Sequence, residues 1–457
     1  VSQPLNFGPD QKDPLGVALT KIEQLEQVFY DCEVQAGHEL MGIEYELFGH
    51  DKLNNQPVQY EGPLSITTLF NYLVGHSKDI HDPWQAILEE GENNIVAVTN
   101  KQATIALEPG GQIEIAAKPH NNLNNMNQSF MNVLNELHQA AEACSIDLFA
   151  VGIHPLATRD MMARVKKNRY VIMRDYMQER RGLGLDMMTR TCSIQLNLDF
   201  INEADMVKKT RLAACLIPVY SLLCSSSAFL EGKPTTHALE RCFIWQQTDR
   251  DRTGIPPLIF APDFGYRAWI EYALDVPMYF IRRGTTYINV AGASFRDFMR
   301  QGLKNQQALV RDFVDHLSTI FAEIRLKPFI ELRSCDALPG AYVTALSALT
   351  WEIFYNPTIL QKALDLFSHI TYDELINFHK DTINHGRNAV FRGKKIFDQA
   401  HEILDLGRNN LYTKPFENLV VHNTTGAEWQ KERYKFMTPD KLPDLIAHFG
   451  ALSKPIF

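Results

Sequence analysis

Four short segments of this 457-residue chain alternate apolar side chains with carboxylates or amides, and this alternation constrains the fold more than any other feature. In Gly42-Ile43-Glu44-Tyr45-Glu46-Leu47-Phe48, successive strand side chains point to opposite faces. Glu44 and Glu46 therefore share one face, and Ile43, Tyr45 and Leu47 share the other. Thr104 to Glu108 and Gln112 to Ala116 flank Pro109-Gly110-Gly111, a turn sequence that predicts a hairpin bringing Glu108 near Glu114. Ser193 to Phe200 alternates strictly, with Ser193, Gln195, Asn197 and Asp199 on the polar side. Ile330-Glu331-Leu332-Arg333 repeats the pattern, with Glu331 and Arg333 together. An antiparallel sheet with one face against helices produces such strands.

The kind of polar residue then narrows the chemistry. Exposed strand faces usually mix Thr, Lys and Glu, whereas these carry carboxylates, amides and one Arg. Gathered carboxylates repel one another unless cations neutralise them. Oxygen donors without Cys or His at ligand spacing point to Mg²⁺ or Mn²⁺ rather than zinc. Mg²⁺ usually binds together with substrate phosphates, which implies a nucleotide. The chain has no Gly-x-x-x-x-Gly-Lys-Ser/Thr loop to hold one. Scattered basic residues must serve instead, and Arg174, Arg241, Arg325, Lys327 and Arg333 are the candidates.

Composition sets the outer bounds. Hydrophobic residues make up 45% and charged residues 22%, enough for a substantial core. A formal charge of -9 and a pI near 5.9 argue against binding nucleic acid. The longest apolar stretch, Leu212 to Leu223, contains Pro218 and falls short of the roughly 20 residues a membrane span needs, so it is expected as a buried helix. Val1 to Leu15 shows no apolar signal core. The seven cysteines (Cys32, Cys144, Cys192, Cys215, Cys224, Cys242 and Cys335) lack CxxC spacing, which predicts reduced thiols and a cytoplasmic location. Helices are expected at residues 18 to 34, at Asn124 to Ser145 from the spacing of Met126, Phe130, Val133, Leu137 and Ala141, and after the capping box Thr371 to Glu374. With no repeat or linker to divide the chain, residues 1–457 are expected to form one composite catalytic domain, its core at about 40–360 and a mostly helical cover at 365–457.

Longer strings resemble the plant and proteobacterial type of glutamate–cysteine ligase. They are Gly42 to Gly49, Leu107 to Glu114 (LEPGGQIE), Leu183 to Cys192 (LGLDMMTRTC), Gln195 to Phe200, Phe229 to Pro234, Thr248 to Gly254 and Tyr272 to Phe280. They run in order from about residue 40 to about 360. The resemblance implies an α+β fold related to glutamine synthetase, with a curved, mainly antiparallel sheet forming a funnel and helices covering its outside. It implies a reaction in which ATP phosphorylates the glutamate γ-carboxylate and the cysteine amine displaces phosphate, the first step of glutathione synthesis. By position, Glu44, Glu46, Glu108, Glu114, Gln195 and Glu331 match the family's metal-binding pattern. Glu331 and Arg333 would act in catalysis, Arg333 on the moving phosphoryl group. Arg174, Arg241, Tyr279 and Asn197 join Arg325 and Lys327 as candidates for holding substrates, ATP or the metal shell. The role of Arg190 stays open.

The expected partners are glutamate, cysteine and ATP, without nucleic acid or membrane, in a monomer or homodimer. Plant members are regulated through disulfides, and Asn127 stands near the place of one of those cysteines, which implies that no bridge forms there. Two segments depart from the plant form: Ser334-Cys335-Asp336-Ala337-Leu338-Pro339, and Glu240-Arg241-Cys242-Phe243. Both are expected to border the amine-acceptor pocket, so another amine acceptor stays open.

Overall fold

A computed structural model describes residues 14–89, 95–407 and 411–456; most of the polar N-terminal stretch read above lies outside them. Among the described residues, ten strands form one antiparallel sheet. They are β1 (Met41–Asp51), β2 (Gln56–Pro57), β3 (Gln85–Leu88), β4 (Ile95–Thr99), β5 (Ala103–Leu107), β6 (Ile113–Ala117), β7 (Ile146–Phe149), β8 (Ser193–Leu198), β9 (Ile324–Leu326) and β10 (Ile330–Asp336). Across the sheet they run β9-β10-β8-β1-β6-β5-β4-β3, with β2 and β7 on the far half of β1. All four alternating segments are therefore strands of the same sheet, and β1 lies between β6 and β8.

The apolar parity does what the alternation requires. Ile43, Tyr45, Leu47, Ile113, Ile115, Ile194, Leu196 and Ile330 are all buried. Behind them pack α2 (Leu123–Ala143), α5 (Glu203–Leu223) and α7 (Gly340–Tyr355); α1 (Glu23–Tyr30) lies ahead of the sheet in the chain. Tyr45 meets the Phe130 ring of α2 edge-on at 5.6 Å and donates its hydroxyl to the Leu338 carbonyl at 2.9 Å. Each such side chain contributes about 1.5–3 kcal/mol of burial, and slipping a strand by one residue would forfeit it while exchanging the two faces.

The helices expected from sequence form, with bounds set by their caps. In α2 the Asn122 side chain accepts from the Asn125 N–H at 3.0 Å. Leu212 to Leu223 is the second half of α5, and no helix among the described residues is long and apolar enough to cross a membrane. The first helix is shorter than residues 18 to 34. Leu19 N–H donates to the Ala308 carbonyl at 2.8 Å, keeping that stretch extended, and Gln24 Oε1 takes the N–H groups of Thr20 and Lys21 just ahead of the first turn. Further on come α3 (Asn168–Arg180), α4 (Gly184–Arg190), α6 (Glu240–Gln246) and α8 (Tyr372–His385). The capping box at α8 forms, with Glu374 accepting from the Thr371 N–H at 2.9 Å.

The two most distinctive strings of the sequence bind each other. At the β5–β6 turn, Gly110 N–H donates to the Gln112 side chain at 2.9 Å, and Gln112 Nε2 donates to the Thr191 carbonyl at 2.9 Å, just past α4. A Cβ on Gly110 would lie 2.2 Å from the Thr189 carbonyl oxygen, and Gly111 has φ +83°. Both glycines are thus dictated by geometry, and the lock they form fixes the turn that carries Glu108.

Candidate active site

The polar parity of β6, β1, β8 and β10 gathers most of the residues singled out from sequence. Glu46 lies directly opposite Glu114, Glu44 opposite Gln195, and Asn197 opposite Glu331. Directly opposed residues share a face of the sheet. Glu108 lies one residue beyond β5, its backbone N–H donating to the Gln112 carbonyl at 2.9 Å. Asn197 Nδ2 donates to Glu44 at 2.9 Å, and Ser193 donates to Glu46 through its N–H at 2.6 Å and its hydroxyl at 3.0 Å.

Arg333 shares this face with Glu331 by simple alternation, and an irregularity follows that alternation does not contain. Leu332 pairs with Leu196 but Cys335 with Ile194, so β10 holds one extra residue there, a β-bulge. The bulge leaves Arg333 beside Glu331 and returns Cys335 to the apolar side. Arg333 Nη1 donates to Gln195 Oε1 and, at 2.8 Å, to Glu331. Its guanidinium lies 5.3 Å from the centre of the Trp245 ring of α6.

Electrostatics divides the face in two. Burial pushes the Glu46 carboxyl up to about 8, reinforced by Glu108 and Glu114. Burial likewise pushes Glu114 up to about 7, with Glu108 and Glu44 adding to the effect. Burial alone would raise Glu331 too, but Arg325, Lys327 and Arg333 hold it well below the usual carboxylate range. Its contacts to Arg325 Nε and Lys327 Nζ measure 2.5 and 2.8 Å. Burial pulls Arg325 and Lys327 down while Glu331 pushes them up. Three cations sharing one carboxylate account for both trends, because they repel one another as well as binding it.

The remaining sequence candidates are placed differently. Arg241 is buried, donates to the backbone carbonyls of Ser334 and Arg333 at 3.1 and 2.9 Å, lies 5.3 Å from the Trp245 ring as Arg333 does, and acts through space on Glu46. Tyr279 is buried edge-on against Tyr176, its ring 4.1 Å from the Arg252 guanidinium. Arg174 is half-buried on α3, where Arg164 and Asp175 are the charges acting on it. Arg190 ends α4 and pairs with Asp186 and, at 2.6 Å, with Glu231.

The donor set suits a hard divalent cation. It is made of oxygens, two of its carboxyls ionise only with difficulty in their present surroundings, and Asn197 Oδ1 is a buried acceptor with no hydrogen-bond donor. Among the described residues, no three carboxylate, imidazole or thiolate side chains close round a single point. The carboxylates instead line the face as a row.

The pattern that describes glutamate–cysteine ligase family 2 matches residues 40–408. The chain belongs to that family. Among its relatives, the chloroplastic glutamate–cysteine ligase of Medicago truncatula is 34% identical over 405 residues, covering 87% of this chain and 77% of the relative. The Arabidopsis thaliana enzyme, also chloroplastic, is 33% identical over 405 residues, covering 87% and 75%. A crystal structure of glutamate–cysteine ligase from Francisella tularensis, in complex with AMP, matches with a TM-score of 0.52 at 13% identity, over 90% of this chain and 87% of that one. That likeness shows a shared, glutamine synthetase-like fold.

Two expectations about this family member need correction. The cytoplasmic location inferred from reduced thiols is overturned by the relatives, which are labelled chloroplastic and point to the plastid; free cysteines report a reducing environment, which does not single out one compartment. Of the departures from the plant form, the Cys335 and Cys242 thiols turn away from the polar face, while Asp336 lies opposite Ser193 on it. Cys335 turns its thiol towards the Tyr220 carbonyl of α5, 3.8 Å away, and Cys242 lies against the Ser334 carbonyl at 3.7 Å.

In this ligase family member the structure also gives Ser193, read from sequence as polar-sided, its partner, and adds Lys167, which sequence reading missed. Ser193 holds Glu46, and Lys167 donates to the Leu107 carbonyl at 2.8 Å beside Glu108. Burial brings the Lys167 ammonium down to about 8, against the pull of Glu108. The basic run Arg164-Val165-Lys166-Lys167-Asn168-Arg169 was the available signal.

Proposed function

We propose that this chain joins the γ-carboxylate of L-glutamate to the amino group of L-cysteine using ATP, yielding γ-glutamylcysteine, ADP and phosphate. The observation that carries this reading is a row of carboxylates that cannot all ionise without a cation, with Arg333 held beside it by Gln195 and Glu331. A free carboxylate is a poor acyl donor, because its charge repels the nucleophile and oxide leaves badly. Phosphorylation by ATP removes both obstacles, and an arrangement for that step must manage phosphate charge.

Glu44, Glu46, Glu108 and Glu114 would hold Mg²⁺ or Mn²⁺, which when bound supplies charge neutralisation to phosphate oxygens. Asn197 and Ser193 orient Glu44 and Glu46 for that task. Arg333 presents its planar fork to the phosphoryl group as it moves, where hydrogen bonds to developing charge matter most. Glu331 reads as the anchor that positions Arg333, Arg325 and Lys327, and Gln195 as the link between that anchor and Glu46. We also propose one composite catalytic unit, supported by the buried contact of His379 on α8 with Glu323 at 3.1 Å, which ties the C-terminal helices to the chain leading into β9.

Mass spectrometry of products from glutamate, cysteine, ATP and Mg²⁺ tests the reading. The expected result is γ-glutamylcysteine formed in step with ADP and phosphate, and only when all four are supplied. An amide formed without ATP, or ATP consumed without an amide, would overturn it.

A further inference from the structure

The start of α3 carries two cations that the polar face does not neutralise by contact. Lys167 Nζ donates to the Leu107 carbonyl at the end of β5, and lies 5.2 Å from the centre of the Tyr170 ring. Tyr170 turns its hydroxyl to the same carbonyl at 2.7 Å and lies 3.4 Å from Glu108 Oε1, fastening this segment to the β5–β6 turn. Arg169 lies between the rings of Tyr170 and Phe280, 5.8 and 5.7 Å from their centres, with its Nε buried and lacking a hydrogen-bond acceptor.

The carboxylates around this pair are distant or engaged. Glu89, Glu108 and Glu114 act on Lys167 through space, as do Glu108 and Asp315 on Arg169. Asp315 is bound by Arg282 at 2.9 Å, and Glu89 accepts from the Asn168 N–H at 3.0 Å. The cations at the opposite edge differ, since Arg325, Lys327 and Arg333 all close on Glu331. Lys167 and Arg169 thus border the carboxylate row without a side-chain carboxylate of their own in contact, which leaves their charge to offer a ligand.

We propose that Lys167 and Arg169 bind the non-transferred β-phosphate of the nucleotide, an inference that rests on the ATP-dependent reading above. Two clustered cations suit a polyanion that carries no positive charge of its own. They suit an amino-acid substrate less well, because glutamate, with an ammonium beside one of its two carboxylates, carries less net negative charge than a polyphosphate. The aromatic rings hold the Arg169 fork in place, so less side-chain freedom is lost when it pairs with phosphate oxygens, while Lys167 adds a compact charge. Neighbouring strands lie about 4.8 Å apart, so roughly 10 Å separates β6 from β8, where Arg333 makes its contact with Gln195. Long side chains reaching in from both edges can close that span on one polyphosphate, with the carboxylates beneath it.

Calorimetric titration of AMP, ADP and ATP, with Mg²⁺ present, into the wild type and into Lys167→Met and Arg169→Gln tests this. ADP and ATP should bind about tenfold or more weakly to each variant, the loss expected for one charge-assisted contact. AMP and glutamate binding should stay as in the wild type, which also certifies that the variants are folded. Equal losses for all three nucleotides, no loss, or a loss confined to glutamate would overturn the assignment. Acylation of the unmodified protein gives a second readout that needs no variant: ADP and ATP, but neither AMP nor glutamate, should shield Lys167 from an amine-reactive reagent, and shielding by glutamate would contradict it. A wild type that forms γ-glutamylcysteine yet loses no ATP affinity in the variants sinks only the placement. A wild type that binds no ATP at all overturns this inference and the ligase reading together.

Discussion

Glu114 and Glu331 are the same residue type, buried on the same face of the same sheet, yet their surroundings drive them in opposite directions. Glu114 stands opposite Glu46 with Glu108 nearby, and both carboxyls resist ionisation. Glu331 is surrounded by Arg325, Lys327 and Arg333, which hold its carboxyl well below the usual carboxylate range. The difference shows how one polar strand face can serve two purposes. One end is an unbalanced anionic row that a cation would complete, and the other is a prebuilt cationic end that holds an arginine in position.

The largest expected effect comes from removing the counter-charge at the balanced end. Glu331→Gln leaves three buried cations without their shared partner, so unfolding should become easier by roughly 3–5 kcal/mol, as for other broken buried ion pairs. Thermal and denaturant unfolding measure this directly. A variant as stable as the wild type would show that the cluster is solvated and the contrast with Glu114 unfounded.

Next comes Arg333→Ala, which should lower kcat by about 100-fold or more, roughly 3 kcal/mol for one lost electrostatic stabiliser, with a much smaller change in KM for glutamate. Arg333→Lys should recover part of the rate. A destabilised but fully active Arg333→Ala protein would confine this residue to a structural role. At the anionic end, Glu114→Gln keeps size but removes charge. It should weaken Mg²⁺ binding by roughly tenfold or more without the large stability loss expected of Glu331→Gln. Should the two substitutions behave alike, the division of the face fails.

The raised carboxyls carry a smaller, signed pH effect. Unfolded, Glu46 and Glu114 ionise near the ordinary glutamate value, about 4.3; folded, they do so at about 8 and about 7. Between those limits the native state holds more protons, so their contribution to the stability of the metal-free protein is greatest at low pH and is lost as pH rises towards 8. Glu46→Gln should therefore gain stability relative to wild type as pH increases. A difference independent of pH from 5 to about 8 would remove the shift. Smallest of all should be the response to mild oxidants. All seven cysteines are free thiols, and buried Asn127 in α2 stands where the plant resemblance suggested a bridge. A large reversible activation on oxidation, abolished by replacing one cysteine, would contradict that.

Much of this division was legible because strand geometry imposes a period of two. The shared face of Glu44, Glu46, Glu114, Gln195 and Glu331 follows from alternation alone, and the EPGGQ turn from its glycines. What alternation cannot specify is which of several nearby charges a long side chain meets. Arg241 and Arg333 look equivalent as isolated arginines. Packing, however, turns the first onto backbone carbonyls and the second onto Gln195 and Glu331. Cys335 likewise faces backwards only because the bulge shifts its parity. Lys167 and Arg169 escaped notice because a basic run ahead of a helix is commonly a solvated surface, and only the folded chain brings it to Glu108.

The most direct test of the division is Mg²⁺ titration at pH 7 in buffers of differing ionisation enthalpy, which counts the protons released on binding. Carboxyls that are largely protonated before the ion arrives should release about one proton per molecule, since metal ligands must deprotonate. That release should vanish in the Glu46→Gln/Glu114→Gln double variant. Binding without proton release in the wild type, or a release that persists in the double variant, would show that these carboxyls are not where the ion binds.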